Sequence, residues 1–323
     1  MSDGRLRVLL WHVHGSWTTA LVSGPHEYLI PVLPDRGPDG LGRARTYRWP
    51  ASAREVPAPQ LRDEVFDVVI LQRPHEAQLV REWTGRTPGV DVPAVYVEHN
   101  APRGEAAATR HPMAEQRQIP ICHVTHFNRL YWDNGVAPAT VVEHGIPEPG
   151  VRYSGELRRI GVAINEPLRR GRVVGTDLLR AAVAAGPLDV FGMQVHGLQD
   201  CGWPGLATYD DPPQAQMHSE LARRRVYFHP MRWTSLGLSL LEAMAIGMPV
   251  VAVGATEAWE AVPRDAGVVS TSVDRLVCAL RNYLEDVDAA HAAGRCARQA
   301  VLSRYGLHRF LRDWDRLLEE VTR

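Results

Sequence analysis

Residues Val226–Val253 read VYFHPMRWTSLGLSLLEAMAIGMPVVAV, and the order of signals in that stretch decides the fold. Val226–His229 is a short, β-rich apolar run closed by Pro230. Ser235 stands where an N-cap belongs, Leu236–Ile246 is rich in helix formers, Gly247 fits the C′ position and Pro249 follows as a stop. Val250–Val253 is continuously apolar, the pattern of a strand buried on both faces. The stretch is therefore a β-α-β unit of a parallel sheet. Its loop, Met231–Ser235, falls at the carboxyl end of a strand and the amino end of a helix, where open α/β sheets bind ligands and free N–H groups favour anions. Leucines at 236, 238, 240 and 241 point in all directions, so the helix is expected to be buried all round. Glu242, its one charge, then needs an exposed edge or bonding partners that offset desolvation.

A chain of 323 residues exceeds the size at which one core stops growing, which predicts two domains. The net charge of −1 supplies no broad basic field for nucleic acid or an anionic membrane. Lysine is absent and all 36 basic residues are arginine, so any cationic phosphate contact falls to Arg or His. Cys122, Cys201, Cys278 and Cys296 are widely spaced without a C-x-x-C, as in a reduced cytoplasmic protein. The apolar run after the N-terminus is too short for a signal peptide or a membrane span.

Upstream, Arg7–His12 reads as the first buried strand, followed by a loop over His14–Trp17, and Pro25–Ile30 as the next. Gly37–Pro59 is rich in Gly, Pro and Arg and reads as loop. Strands are expected at Phe66–Gln72, Pro93–Glu98, Ile119–Thr125 and Thr140–Glu143, with a helix over Glu76–Trp83. That alternation implies a doubly wound first domain over residues 1–150, closed by the Pro- and Gly-bearing linker Pro147–Glu156. The pattern restarts in a second domain over 151–304: strands at Ile160–Ile164 and Leu188–Phe191, a loop over Asp200–Pro213, and a helix over Gln214–Arg224 leading into the central unit. Residues 305–323 form an amphipathic terminal helix.

The segment Thr234–Ala252, T-S-L-G-L-S-L-L-E-A-M-A-I-G-M-P-V-V-A, resembles the donor-site motif of the retaining GT-B glycosyltransferases of the group 1, or family-four, class, E-G-F-G-L-x-x-L-E-A-M-A-x-G-x-P-V-V-A. The resemblance implies two Rossmann-like, doubly wound α/β domains facing each other across a cleft, with the terminal helix packing back on the first domain. It implies that Glu242 bonds the ribose hydroxyls of a nucleotide and that the backbone of Ser235, Leu236, Gly237 and Leu238 meets its diphosphate. The family's first glutamate, which helps hold the donor sugar, is Thr234 here. After the first strand of the second domain the family places an arginine and a lysine on the diphosphate; Arg169 matches the arginine, Val174 stands at the lysine, and Arg170 or Arg172 is available in its place. His99, in V-E-H-N-A-P, matches a histidine that contacts the donor sugar, and Gly15-Ser16 is a reduced form of a Gly-rich loop beneath the donor. Glu260 lies where the family has the glutamate of G-G-I-P-E, and Glu257 is the neighbouring alternative for sugar hydroxyls. His14 and His126 are candidates on the acceptor side.

No His, Cys, Asp or Glu set has metal-site spacing, and P-loop, G-x-G-x-x-G, G-x-S-x-G and H-E-x-x-H signals are missing. The resemblance thus implies sugar transfer from a nucleoside diphosphate sugar to a small-molecule or glycan acceptor, with retention and with neither metal nor cofactor. No nucleic acid and no integral membrane segment is expected. A nucleotide-sugar epimerase on the same fold and a non-catalytic nucleotide-sugar binder are the alternatives, the latter motivated by Thr234.

Overall fold

Short β-branched runs bounded by turn residues become strands, and both sheets they build are parallel throughout. The structure is a computed structural model that describes residues 4–150 and 152–323. The first unit runs through β1 (Arg7–Leu10), α1 (Gly15–Leu21), β2 (Glu27–Val32), β3 (Ala53–Pro57), β4 (Val68–Leu71), α2 (Glu76–Thr84), β5 (Ala94–Glu98), β6 (Ile121–His123), α3 (His126–Tyr131) and β7 (Ala139–Val141). Its seven strands lie in the order β3-β2-β1-β4-β5-β6-β7. The second unit holds β8 (Leu157–Ala163), α4 (Pro167–Arg170), α5 (Leu179–Ala185), β9 (Leu188–Gly192), β10 (Leu206–Asp210), α6 (Gln214–Leu221), β11 (Arg224–His229), α7 (Leu238–Ile246), β12 (Val250–Val253), α8 (Ala258–Ala261), β13 (Gly267–Ser270), α9 (Val273–Glu285) and α10 (Val287–Tyr305). Its six strands lie in the order β10-β9-β8-β11-β12-β13.

In each sheet the winding reverses once, between β1 and β4 in the first unit and between β8 and β11 in the second. Loops at the carboxyl ends of the two strands on either side of such a reversal diverge, which leaves room for a ligand. All the functional geometry below sits at these two places.

The chain divides at Gly145/Ile146 and Gly306/Leu307, and α11 (Leu307–Thr322) belongs with the first unit. These divisions lie a few residues from 150/151 and 304/305. The Ile146 N–H donates to the Tyr305 carbonyl (2.8 Å), so the two connecting segments are paired within the second unit where they meet. Phe310 and Trp314 of α11 are buried against Trp17 of α1, with ring centroids 6.4 and 5.5 Å from its indole. Gly145 allows that packing, because a Cβ there would stand 2.4 Å from the Phe310 side chain.

Two strands fall where loop was expected: β3 inside Gly37–Pro59 and β10 inside Asp200–Pro213. Each is an edge strand with one pairing partner, half-exposed and flanked by proline, so neither carries a clean apolar alternation. The central helix also starts later than expected. Gly237, not Ser235, is the N-cap of α7, and Ser235–Leu236 continue the loop. The cause is a contact distant in sequence: the Ser235 carbonyl accepts from the Glu257 N–H (3.4 Å), which holds that residue out of the helix. Gly247 does end the helix in the left-handed region, at φ 99°.

Candidate functional site

In the second unit, three loops at the carboxyl ends of β8, β11 and β12 are tied to one another. The loop after β11 donates its Arg232 and Trp233 N–H groups to the Val173 carbonyl in the loop after β8 (2.9 and 3.2 Å). Gly175, at φ 76°, is required by this closeness: a Cβ there would stand 2.0 Å from the Pro230 carbonyl oxygen. Ser239, in the first turn of α7, donates to the Ala163 carbonyl at the end of β8 (3.2 Å) and accepts from the Tyr227 hydroxyl (3.0 Å). The amino end of α7 is thereby fixed beside the winding reversal, and its first N–H groups have no acceptor inside the helix. Gly237 lies against His229, where a Cβ would meet the ring at 2.4 Å. Gly237 and Leu238 are half-buried; Ser235 and Leu236 are buried.

Glu242 is only 6 % exposed and is not isolated. It accepts from the Gln214 amide (3.0 Å) and faces the Nε2 of His218 (3.3 Å), both on α6. Neither partner was visible from sequence spacing, since they lie 28 and 24 residues away.

Cationic charge gathers on the loops after β8 and β11. Arg169 pairs with Glu166. Arg172 donates to Asp177 (2.9 Å), and Arg232 donates to both oxygens of the same carboxylate (2.5 and 2.9 Å). Asp177 is held below the usual carboxylate range by the Arg232 hydrogen bonds, against the opposing effect of partial burial. Arg170 shares the turn with Arg169. With two acids among four arginines, these loops keep a net positive charge of two. Arg232 was not among the expected residues; it is the arginine nearest the α7 segment in sequence, on the loop entering it.

Thr234 is half-buried and its hydroxyl contacts the Met231 sulfur (3.5 Å). Glu260 lies exposed on α8, and its carbonyl accepts from Arg304 (2.8 Å). Glu257 is the better placed of the two acids: it is buried, and its N–H is bonded to Ser235. Just before it Thr256 adopts φ 49°, a conformation that glycine takes freely and a β-branched residue resists.

In the first unit, imidazoles collect at the β1/β4 reversal. The rings of His14 and His99 lie 4.0 Å apart, and Trp17 meets His99 edge-on at 4.8 Å. Burial lowers His14 to about 4 and His144 to about 3. Burial also holds His99 well below its ordinary value, with His14 and His144 adding to the effect. All three are neutral at physiological pH, and His14 and His99 keep partial solvent access. His126 does not join them; it is exposed at the start of α3, beyond β6. Gly15-Ser16 is not an open loop either. Both residues form the first turn of α1, and Tyr47 covers them, its hydroxyl 3.1 Å from Ser16 Oγ and its ring where a Gly15 Cβ would go.

Residues 209–300 match the family model of the glycosyl transferases group 1. The chain is a glycosyltransferase with the GT-B fold. Sucrose-phosphate synthase from Thermosynechococcus elongatus superimposes with a TM-score of 0.71 at 13 % identity, covering 98 % of this glycosyltransferase and 99 % of that chain. Anabaena HepE, solved with UDP and glucose, gives 0.70 at 12 % identity over 98 % and 100 %. A glycosyltransferase from Rickettsia africae gives 0.66 at 11 % identity over 98 % of each. No curated protein sequence matches significantly. Among the described residues, no helix is long and apolar enough to cross a membrane, and no three His, Cys, Asp or Glu side chains are grouped to hold a metal ion.

Proposed function

We propose that the protein transfers a sugar from a nucleoside diphosphate sugar to a hydroxyl of a small-molecule acceptor, with retention at the anomeric carbon and without a metal ion. The observation that carries this reading is the buried Glu242 carboxylate on the helix whose amino end meets the arginine-bearing loops. A carboxylate accepts from the two ribose hydroxyls, while arginines and free N–H groups meet a diphosphate. In the transfer, the bond from the anomeric carbon to the β-phosphate oxygen breaks and its electron pair leaves on that oxygen. The acceptor oxygen bonds to the anomeric carbon on the same face, and its proton passes to the released diphosphate. Arg169, Arg170, Arg172 and Arg232 stabilise the leaving charge in the role a metal fills elsewhere. His99 and His14 meet sugar or acceptor hydroxyls as neutral imidazoles. Glu257 rather than Glu260 is the acid that adjoins the donor loop, and takes the part left open by Thr234.

The test is a thermal-shift screen of UDP, GDP, ADP and TDP and their common sugar conjugates, since a ligand of the folded state raises Tm by mass action. One diphosphate series should stabilise the protein, with chelator making no difference, and its sugar conjugate should then be turned over with an acceptor. Donor converted without acceptor would indicate an epimerase; binding without turnover against a broad acceptor panel would indicate a non-catalytic binder.

A further inference from the structure

Gln72 follows β4 directly, is almost fully buried, and was assigned no role by its sequence context. Its surroundings fix it from both sides. The backbone N–H donates to the Glu76 carboxylate (2.6 Å), and the side-chain amide nitrogen donates to the Trp11 carbonyl (2.7 Å). Glu76 is itself fully buried and also accepts from the N–H and the guanidinium of Arg73 (3.2 and 2.7 Å). The amide cannot turn over, because that would set its oxygen against the Trp11 carbonyl oxygen. Its Oε1 therefore faces the Nε2 of His99, 3.1 Å away.

A carbonyl oxygen only accepts, so the His99 Nε2 carries the proton. With the ring neutral, Nδ1 is left as a bare lone pair. No other described residue bonds His99 Nδ1, and the ring is held in place by His14 at 4.0 Å and by the edge of Trp17 at 4.8 Å. We propose that Gln72 is a positioning residue that locks His99 in the Nε2–H tautomer, so that Nδ1 accepts a hydrogen bond from a hydroxyl of the bound sugar. This rests on the sugar-transfer reading and adds to it the direction of the hydrogen bond. His99 recognises a hydroxyl as donor and contributes no proton to the leaving group.

The experiment is ring-nitrogen NMR of the full chain labelled with 15N-histidine, with His99 assigned by His99→Asn. The wild type should show the Nε2–H pattern for His99. Gln72→Leu should lose it, giving a mixed or reversed tautomer. Release of nucleoside diphosphate from UDP-, GDP-, ADP- and TDP-glucose should fall roughly tenfold in kcat, with nucleoside diphosphate affinity unchanged within twofold. Where Gln72→Leu fails to fold, Gln72→Met keeps the length and removes the carbonyl acceptor, and should likewise lose the Nε2–H pattern and about tenfold in kcat. A wild-type Nδ1–H pattern, an unchanged tautomer in the variant, or a changed tautomer with unchanged kcat would each overturn the proposal. Wild-type protein that binds none of the nucleotides would instead strike the sugar-transfer reading, while the tautomer still reports on Gln72.

Discussion

Replacing Glu242 by Gln keeps the shape of the side chain and removes its charge. In the structure the carboxylate accepts from the neutral Gln214 amide at 3.0 Å and faces a ring nitrogen of His218 at 3.3 Å. An amide at 242 can still face both neighbours if Gln214 turns, so the loss of stability should be about 1 kcal/mol, the scale of one neutral hydrogen bond. The loss of nucleotide affinity should be larger. A ribose bonded to a carboxylate makes charge-assisted hydrogen bonds worth about 1.5–3 kcal/mol, which is roughly 10- to 150-fold in Kd. Titration calorimetry with the diphosphate that stabilises the wild type reads the second quantity, and urea unfolding reads the first. His218→Ala supplies the contrast, since it removes a partner of the carboxylate and no ligand contact; its stability should fall more than its affinity. A folded Glu242→Gln variant that binds the diphosphate as tightly as the wild type would refute the assignment of this residue to ribose.

Arg172→Ala and Arg232→Ala should each weaken diphosphate binding about tenfold, and the double variant should lose less than the product, because both guanidiniums share Asp177. Competition binding in a fluorescence assay measures all three. Gly237→Ala places a Cβ 2.4 Å from the His229 ring and should destabilise by about 1–3 kcal/mol; the same change in a His229→Ala background should cost clearly less in denaturant unfolding. Stability should also fall on acidification. Burial lowers His229 from 6.5 to about 4, so below pH 6.5 the unfolded chain takes up a proton that the folded chain refuses. The sign is a loss of stability between pH 6.5 and about 4, worth roughly 3 kcal/mol for this one residue, and a His229→Gln variant should show a flatter profile in unfolding curves across that range.

The stretch around α7 was legible because every local signal agreed: apolar strand, helix formers, terminal glycine, proline stop. Where the reading slipped, a contact distant in sequence had intervened. Ser235 has the chemistry of an N-cap, yet its carbonyl is taken by Glu257 and Gly237 is drawn against His229. Gly15-Ser16 has the composition of a loop, yet the turn closes into α1 under Tyr47. Candidate acids and bases could be named from residue type; what each one touches could not. Glu242 and its α6 partners, Gln72 and His99, and Arg232 and Asp177 are joined across 24 to 55 residues, and side-chain polarity has no period that announces such pairings.

The two units divide their chemistry in a way that follows from which side chains are available. Without lysine, every fixed cation is an arginine, which holds its charge at any pH the fold survives. The positive charge of the loops after β8 and β11 is therefore permanent, with Glu166 and Asp177 holding the guanidiniums in place. At the β1/β4 reversal the polar groups are imidazoles instead, and burial keeps His14, His99 and His144 uncharged. Were those rings protonated, they would attract anions as the arginines do. As neutral rings they can bond hydroxyls without attracting phosphate. The same low-dielectric surroundings that disfavour the imidazolium thus set the two places apart in chemistry: fixed charge at the β8/β11 reversal, uncharged hydrogen-bonding rings at the β1/β4 reversal.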